Sequence, residues 1–455
     1  MIFSLALATA ILTPIIVGSS IVAAMAGSSK HWATVLGQGF LFGFCLCALL
    51  LLLGTVALGN FNTPLVYGVM LVLGALSTYV VLRRQQRRFS DANTPSATFV
   101  GSQEGSLGTW ILCALFVGLS IVHITLASID AALRPVFPWD AWNSWFPMTL
   151  QYYQADTLSA PVDTMKGQAH LPTINLIEIW ILKATGPASL AFQILWPAAL
   201  TALWLVVFGF MRESCCSLAL SAFAAYVVVS MPLVSTHAAL AGYAGLWLSL
   251  ATTIAFFEVS RLLASGSGRW SAFLAVVVAM VLKTSGIVVA FSCFAAFLIF
   301  YPWNARSIST RKLAGGAAVI VGLAVVSVLV DISYITAITS RLSRDAAWLG
   351  TANFNQVSLA LSAIANSVFI SINWGIAPAI VVAAIAWGIG REKHPASSII
   401  LAQSLIYLSV SAFYFAVVVT PTGINQTGFS RAAIAAFPAL LAAGLLQFNR
   451  PAKQL

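Results

Sequence analysis

Apolar residues run along almost the whole chain, interrupted at intervals by short polar stretches. The stretch "GFLFGFCLCALLLLLGTVALG" (39–59) is typical. It supplies the roughly 20 apolar residues needed to cross a ~30 Å hydrocarbon core. Its backbone must be helical there, because lipid satisfies no exposed amide. The pattern predicts 13 such spans, centred near residues 14, 47, 73, 118, 200, 225, 253, 277, 293, 322, 383, 408 and 440. The first, "MIFSLALATAILTPIIVGSSIVAAMAG", has no basic residue ahead of its apolar run and reads as a retained span, not a cleaved signal peptide. Two further apolar stretches, 171–185 and 355–372, are short or interrupted and carry Asn175, Glu178 and Lys183, or Asn366, Ser367 and Asn373. These are expected to lie at the outer interface as helices that do not cross. The expected fold is an all-α polytopic membrane protein.

Composition agrees with the pattern. Of the 455 residues 60% are hydrophobic and 7% charged, against roughly 25% charged in soluble domains. The net charge of +10 raises a nucleic-acid partner only to exclude it, since the basic residues are scattered between apolar runs and form no patch on a polar domain. They act instead as topology signals. The linker "RRQQRRFSDANTPSATFVGSQEGS" (83–106) opens with arginines and is cytoplasmic by the positive-inside rule. The next span then runs outward, and most of the 22 Lys and Arg, among them Arg212, Arg261 and Arg269, fall on the cytoplasmic side. Lys30 alone orients the first two spans. This divides the chain into residues 1–107, three spans and the basic linker, and 108–455, a membrane domain with a large outer loop at 131–189. The cysteines form no CxxC pair or His/Cys cluster in a polar loop, which argues against a zinc site.

Candidate chemistry gathers on the predicted outer face. In "PVFPWDAWNSWFPM" (135–148) Asp140 stands among Phe137, Trp139, Trp142, Trp145 and Phe146. Two roles remain open for it: an N-cap for the helix that follows, or a general base whose pKa is raised by aromatic surroundings. Trp139, Trp142 and Trp145, spaced by three, form either an interfacial belt or a platform for an acyl chain or sugar ring. In "KGQAHLPTINLIEIW" (166–180) His170 is a structural hydrogen-bonding residue or a substrate ligand. In "VLKTSG" (281–286) Lys283 either snorkels to the headgroups or binds phosphate. In "NQTGFSRAAIAAFPAL" (425–440) Arg431 binds phosphate bidentately or neutralises a buried carboxylate such as Asp331.

Taken in order, these segments resemble the GT-C superfamily of membrane glycosyltransferases. The likeness is nearest to the bacterial branch related to the mannosyltransferase and aminoarabinose-transferase proteins. "PWDAWNSW" matches that branch's Trp-Asp-Ala-Trp signature, "HLPTINLIEIWILKATG" its interfacial helix, and "LKTSG" its Lys-Asn-Glu-Gly type motif. "THAALAGYAGLW" (236–247), with His237 and Tyr243, resembles a segment that usually reads Gly-Tyr-Ala-Asp. "SRAAIAAFPAL" resembles the last, Arg-containing span. The resemblance covers roughly residues 108–447. It implies a multi-pass enzyme of the bacterial inner (cytoplasmic) membrane with its active face outward, in the periplasm. The donor would be a polyprenyl-phosphate-linked sugar, and the acceptor a lipid, polysaccharide or protein. It also implies Asp140 as the catalytic base, with Lys283, Arg431, His170, Trp139, Trp142, His237 and Tyr243 as substrate-binding residues. Some members use a divalent cation and others none; a single clear carboxylate favours a metal-free site. Two departures stand out: Gly245 occupies the place of the family's second acid, and Ser285 that of the acid in the Lys motif. The second acid's role then falls to Asp140 alone or passes to His237, Asp163 or Asp345. Other classes remain open: a flippase or transporter, which calls for broken helices and internal repeats, and a non-catalytic relative.

Overall fold

The computed structural model describes residues 2–26, 30–90, 106–136, 141, 145–158, 172–187, 190–300, 354–370, 372–388, 394–418 and 427–448, and among these no strand occurs. The helices are α1 (Ile2–Ala26), α2 (Trp32–Leu58), α3 (Thr63–Ser90), α4 (Leu107–Leu133), α5 (Phe146–Ala155), α6 (Thr173–Thr185), α7 (Leu195–Glu213), α8 (Leu218–Ser230), α9 (Pro232–Ala239), α10 (Ala244–Ser265), α11 (Arg269–Leu282), α12 (Gly286–Phe300), α13 (Phe354–Phe369), α14 (Ala377–Gly388), α15 (Pro395–Phe413), α16 (Thr427–Ala433) and α17 (Phe437–Leu446). Seven are long and apolar enough to cross a membrane: α1, α2, α3, α4, α7 with the turn before it, α10 and α15 with the turn after it.

The sequence predicts more crossings than the structure has long helices. The expected span near 225 is α8, 13 residues long, which continues into α9 at an angle of 63°. Pro232 explains the break, since it forces Met231 into an extended conformation and supplies no amide. Counting that pair as one span gives eight. The expected spans near 277, 293, 383 and 440 are α11, α12, α14 and α17, with 14, 15, 12 and 10 residues. At about 1.5 Å per residue α11 rises roughly 21 Å, short of the ~30 Å core. Apart from Arg269 at the start of α11 the four are predominantly apolar, and within the described residues each is shorter than a straight crossing needs. The expected span near 322 lies outside the described residues.

α1 and α2 approach at backbone distance. A Cβ on Gly43 would collide with the Pro14 carbonyl, and one on Gly18 with the Gly39 carbonyl, so Gly39 and Gly43 form a small-xxx-small seam of the kind that joins helices in lipid. Pro14 also leaves the Ala10 carbonyl without its usual helical donor. The Trp180 indole N–H of α6 takes that place at 2.7 Å. α2 in turn packs into the middle of the bundle. Gly209 of α7 lies against Thr34 and Gly37 against Ala202, while Phe40 stacks on Trp247 of α10 at 5.2 Å. The change of sequence character at 107 is therefore crossed by packing, and one hydrophobic core includes both sides of it.

Charges sort to the two ends of the bundle. At one end Lys30, whose side chain is 1% exposed, meets the fully buried Glu258 at 3.0 Å. Gln38 donates to Glu258 (2.7 Å), Arg261 bridges Glu258 and Glu213, and Glu213 accepts from the His31 backbone N–H (2.6 Å). Burial pulls the Lys30 ammonium down to about 8, with Glu258 working against that shift. Lys30 thus shares its end with Arg212 and Arg261, as the positive-inside reading requires of a cytoplasmic face. At the other end the Phe61 N–H donates to the Asp156 carbonyl (3.2 Å), and Asp156 pairs with Lys183 at 2.5 Å.

One expectation is corrected here. The stretch 171–185 does form a helix, α6, too short to cross, but it does not lie exposed at an interface. Residues Thr173–Leu182 are all buried, because α1, α2 and α5 cover it on several sides. The stretch 355–372 behaves more as expected: α13 leaves Leu359, Leu361 and Phe369 exposed while burying Ala360, Ile364 and Ser367.

The helix seam makes a test with opposite signs for one substitution. Gly43→Ala should destabilise by about 1–3 kcal/mol through overpacking against rigid backbone. Gly68→Ala, in α3 where an added Cβ meets nothing within 4 Å, should stabilise by up to about 1 kcal/mol. Thermal unfolding of the full chain in detergent reads both; equal shifts would refute the close approach of α1 and α2.

Candidate functional site

The candidate residues that the structure describes stand in or beside terminal helix turns. His237 lies on α9, which at 63° to α8 runs more across the bundle end than through it. Its side chain is 5% exposed, and its Nδ1 has no hydrogen-bond partner. The ring of Tyr243, the residue before α10, lies 5.1 Å from the imidazole. The Tyr243 carbonyl is held by the Trp196 indole N–H at 2.8 Å. Between the two, Gly242 has φ +102°, a conformation few other residues tolerate, and the Ala141 methyl fills the space where its Cβ would be. That contact seats the residue following Asp140 directly against the Gly-Tyr segment.

Lys283 sits in the turn between α11 and α12. Gly286 is required there, because a Cβ would strike the Ala279 carbonyl. The Thr173 hydroxyl at the start of α6 donates to the Val281 carbonyl at 2.7 Å, tying the segment after His170 to the last turn of α11. Arg431 lies in the last turn of α16, ahead of the turn 434–436 that separates that helix from α17. Pro438 leaves the Ile434 carbonyl without a helical donor, and Ser249 of α10 supplies one at 2.8 Å. Tyr407 donates to the Ala432 carbonyl at 3.3 Å, and Ser367 and Ser430 share a hydrogen bond of 2.7 Å.

Electrostatics ties these parts together. Burial first, and then the positive charges of Lys283 and Arg431, drive the His237 imidazole down to about 3, so it is neutral at physiological pH. Two cations from separate segments of the sequence therefore act on one buried histidine. Gly245 completes the arrangement. A Cβ added there would lie 3.0 Å from His237 Nδ1 and 3.8 Å from Ile434; the imidazole occupies the space into which a side chain at 245 would grow. Where the resemblance leads one to expect an acid at 245, this chain has a neutral ring from α9.

Of the residues singled out from sequence, His237, Tyr243, Lys283 and Arg431 come together in this way. Asp140, Trp139, Trp142 and His170 lie outside the described residues, as do Asp163, Asp331 and Asp345; their nearest described neighbours along the chain at the first two motifs are Ala141 and Pro172. Sequence reasoning passed over Gly242, Trp196 and Ser249. Pro438 is the signal that could have pointed to Ser249, since a proline in a span frees a carbonyl that some side chain must satisfy. Among the described residues no group of three or more His, Cys, Asp or Glu is placed to hold a metal ion. Two cations beside a neutral histidine favour an anion over a divalent cation.

A histidine held neutral by burial carries a stability signature. The unfolded chain protonates His237 near the ordinary value of about 6.5 while the folded chain does not. Stability present above that pH should therefore be lost as the pH falls from 6.5 toward 3, with a slope of up to about 1.4 kcal/mol per pH unit. His237→Gln should remove this part of the slope in pH-dependent unfolding; an unaltered slope would contradict the burial.

Compared with protein-family models, curated proteins and solved structures, the chain matches none.

Proposed function

We propose that the chain is a membrane glycosyltransferase that moves a sugar from a polyprenyl-phosphate-linked donor to an acceptor at the end of the bundle where His237, Lys283 and Arg431 meet. The observation that carries the reading is convergence. Segments chosen from sequence for one chemistry, around Ala141, His237 to Gly245, Lys283 and Arg431, are distant along the chain and adjacent in the fold. Two cations in a mostly apolar surround suit a phosphate with a long apolar tail.

In the proposed reaction Asp140 takes the proton of the acceptor hydroxyl, whose oxygen attacks the anomeric carbon in line. The bond from that carbon to the donor phosphate oxygen breaks, and its electron pair leaves on the lipid phosphate. Lys283 and Arg431 stabilise the charge building there. A phosphate leaving group needs no general acid, and a single displacement inverts the anomeric centre without a covalent glycosyl-enzyme. His237, neutral and buried, contributes hydrogen bonding without a further charge. By the positive-inside reading the site faces outward, in the periplasm of a bacterial cell envelope.

A transporter reading draws support from the broken helix pair at Met231. The two readings part on covalent chemistry. With purified protein and radiolabelled polyprenyl-phosphate sugars, Asp140→Asn should abolish transfer and leave donor binding intact. Sugar moved across a vesicle membrane without any new glycosidic bond would favour transport instead. Lys283→Ala and Arg431→Ala should each weaken donor binding about ten- to hundred-fold, as expected for loss of a charged hydrogen bond of roughly 1.5–3 kcal/mol. Unchanged donor binding in both would remove them from the phosphate site.

A further inference from the structure

Between α5 and α6 lies a polar cluster with no part in the chemistry above. Thr149, Asn175 and Glu178 are all 0% exposed. The Thr149 hydroxyl reaches two acceptors, the Trp145 carbonyl at 3.1 Å and Glu178 Oε2. Asn175 Nδ2 donates to the same Trp145 carbonyl at 2.8 Å and to Thr149 Oγ1 at 2.9 Å. One hydroxyl proton cannot serve two acceptors. If Glu178 carries a proton the conflict disappears: the acid donates to Thr149 Oγ1, and Thr149 donates to the Trp145 carbonyl. No described cation pairs with Glu178, and the nearest lysine along its own helix, Lys183, is engaged by Asp156. Burial pushes the Glu178 carboxyl up to about 8, only partly opposed by the Thr149 hydrogen bond, which agrees with the neutral form.

We propose that Glu178, as a neutral acid acting through Thr149, is a positioning residue for the segment that carries Asp140. Trp145 opens α5 and is the described residue that closes the "PWDAWNSW" stretch. The two described residues of that stretch are each held: the Ala141 methyl lies against Gly242, and the Trp145 carbonyl accepts from Thr149 and Asn175, with Glu178 bonded to Thr149. Asp140 adjoins the first pin. A carbonyl at the foot of a helix bound by two side-chain donors, themselves ordered by a third residue, holds that backbone in one place. α6 packs against α1, α2 and α5 and is buried from Thr173 to Leu182, so the pin rests on a fully packed element.

The catalytic meaning of the pin rests on the transferase reading, but the pin itself does not, and the test separates the two. A Ser144→Cys reporter is introduced in a Cys215→Ser background, and its labelling rate with an impermeant maleimide is measured in detergent alongside thermal unfolding. Glu178→Ala and Thr149→Val should each change the labelling rate several-fold, while Glu178→Gln, which keeps a donor toward Thr149, should label as the parent does. In the transfer assay Glu178→Ala should lower kcat about ten-fold with the donor KM unchanged, and Glu178→Gln should restore it. Thr149→Val carries no charge consequence and serves if Glu178→Ala fails to fold. Unchanged labelling in folded Thr149→Val, or Glu178→Gln labelling like Glu178→Ala, overturns the proposal. Altered labelling in a protein whose parent shows no transfer upholds the pin and overturns the transferase reading alone.

Discussion

Lipid offers a backbone carbonyl no hydrogen bond, so each place where a helix of this bundle breaks or loses a donor must be repaired from within the protein. The repairs are specific. Pro14 frees the Ala10 carbonyl and Trp180 takes it; Pro438 frees the Ile434 carbonyl and Ser249 takes it. The last turn of α11 exposes the Val281 carbonyl and Thr173 takes it. Polar side chains that look out of place in apolar segments are in these cases donors to orphaned carbonyls.

The same constraint locates the candidate site. A chain that can repair its breaks can interrupt its helices, and Lys283 follows the end of α11 while Arg431 lies just ahead of α17. The positive charge acting on His237 follows from which residues fall at those interruptions. His237 fits because Gly245 leaves it room. An acid at 245 and an imidazole at 237 would compete for one space, so the apparent loss of an acid and the presence of a buried histidine are a single structural fact.

How much of this was legible follows from the range of the interactions. Apolar runs announce helices, and every predicted span centre within the described residues falls on one. The run does not announce its own geometry: α11 and α12 read as a pair of spans because hydropathy measures composition, not whether 14 residues reach across. α6 was misread for a similar reason. Asn175, Glu178 and Lys183 look like the wet face of an amphipathic helix, but the partners of the first two, Thr149 and the Trp145 carbonyl, lie on a different helix, and no local pattern shows that they will be covered. The motif segments were legible as chemistry before their proximity could be seen. What brings them together, Gly242 under Ala141 and Gly286 under Ala279, is visible only as close approach.

The ion group at the opposite end has a consequence for how the chain is made. Gln38 and Glu258 stand 220 residues apart, and Lys30 depends on the same carboxylate. Lys30 lies in the link between α1 and α2 at the bundle end, where water can hydrate it before its partner exists. As the chain emerges from the ribosome, α1 and α2 appear long before Glu258. The burial of Lys30 and Gln38 against that carboxylate is therefore a late step, closed only when α10 has packed onto α2.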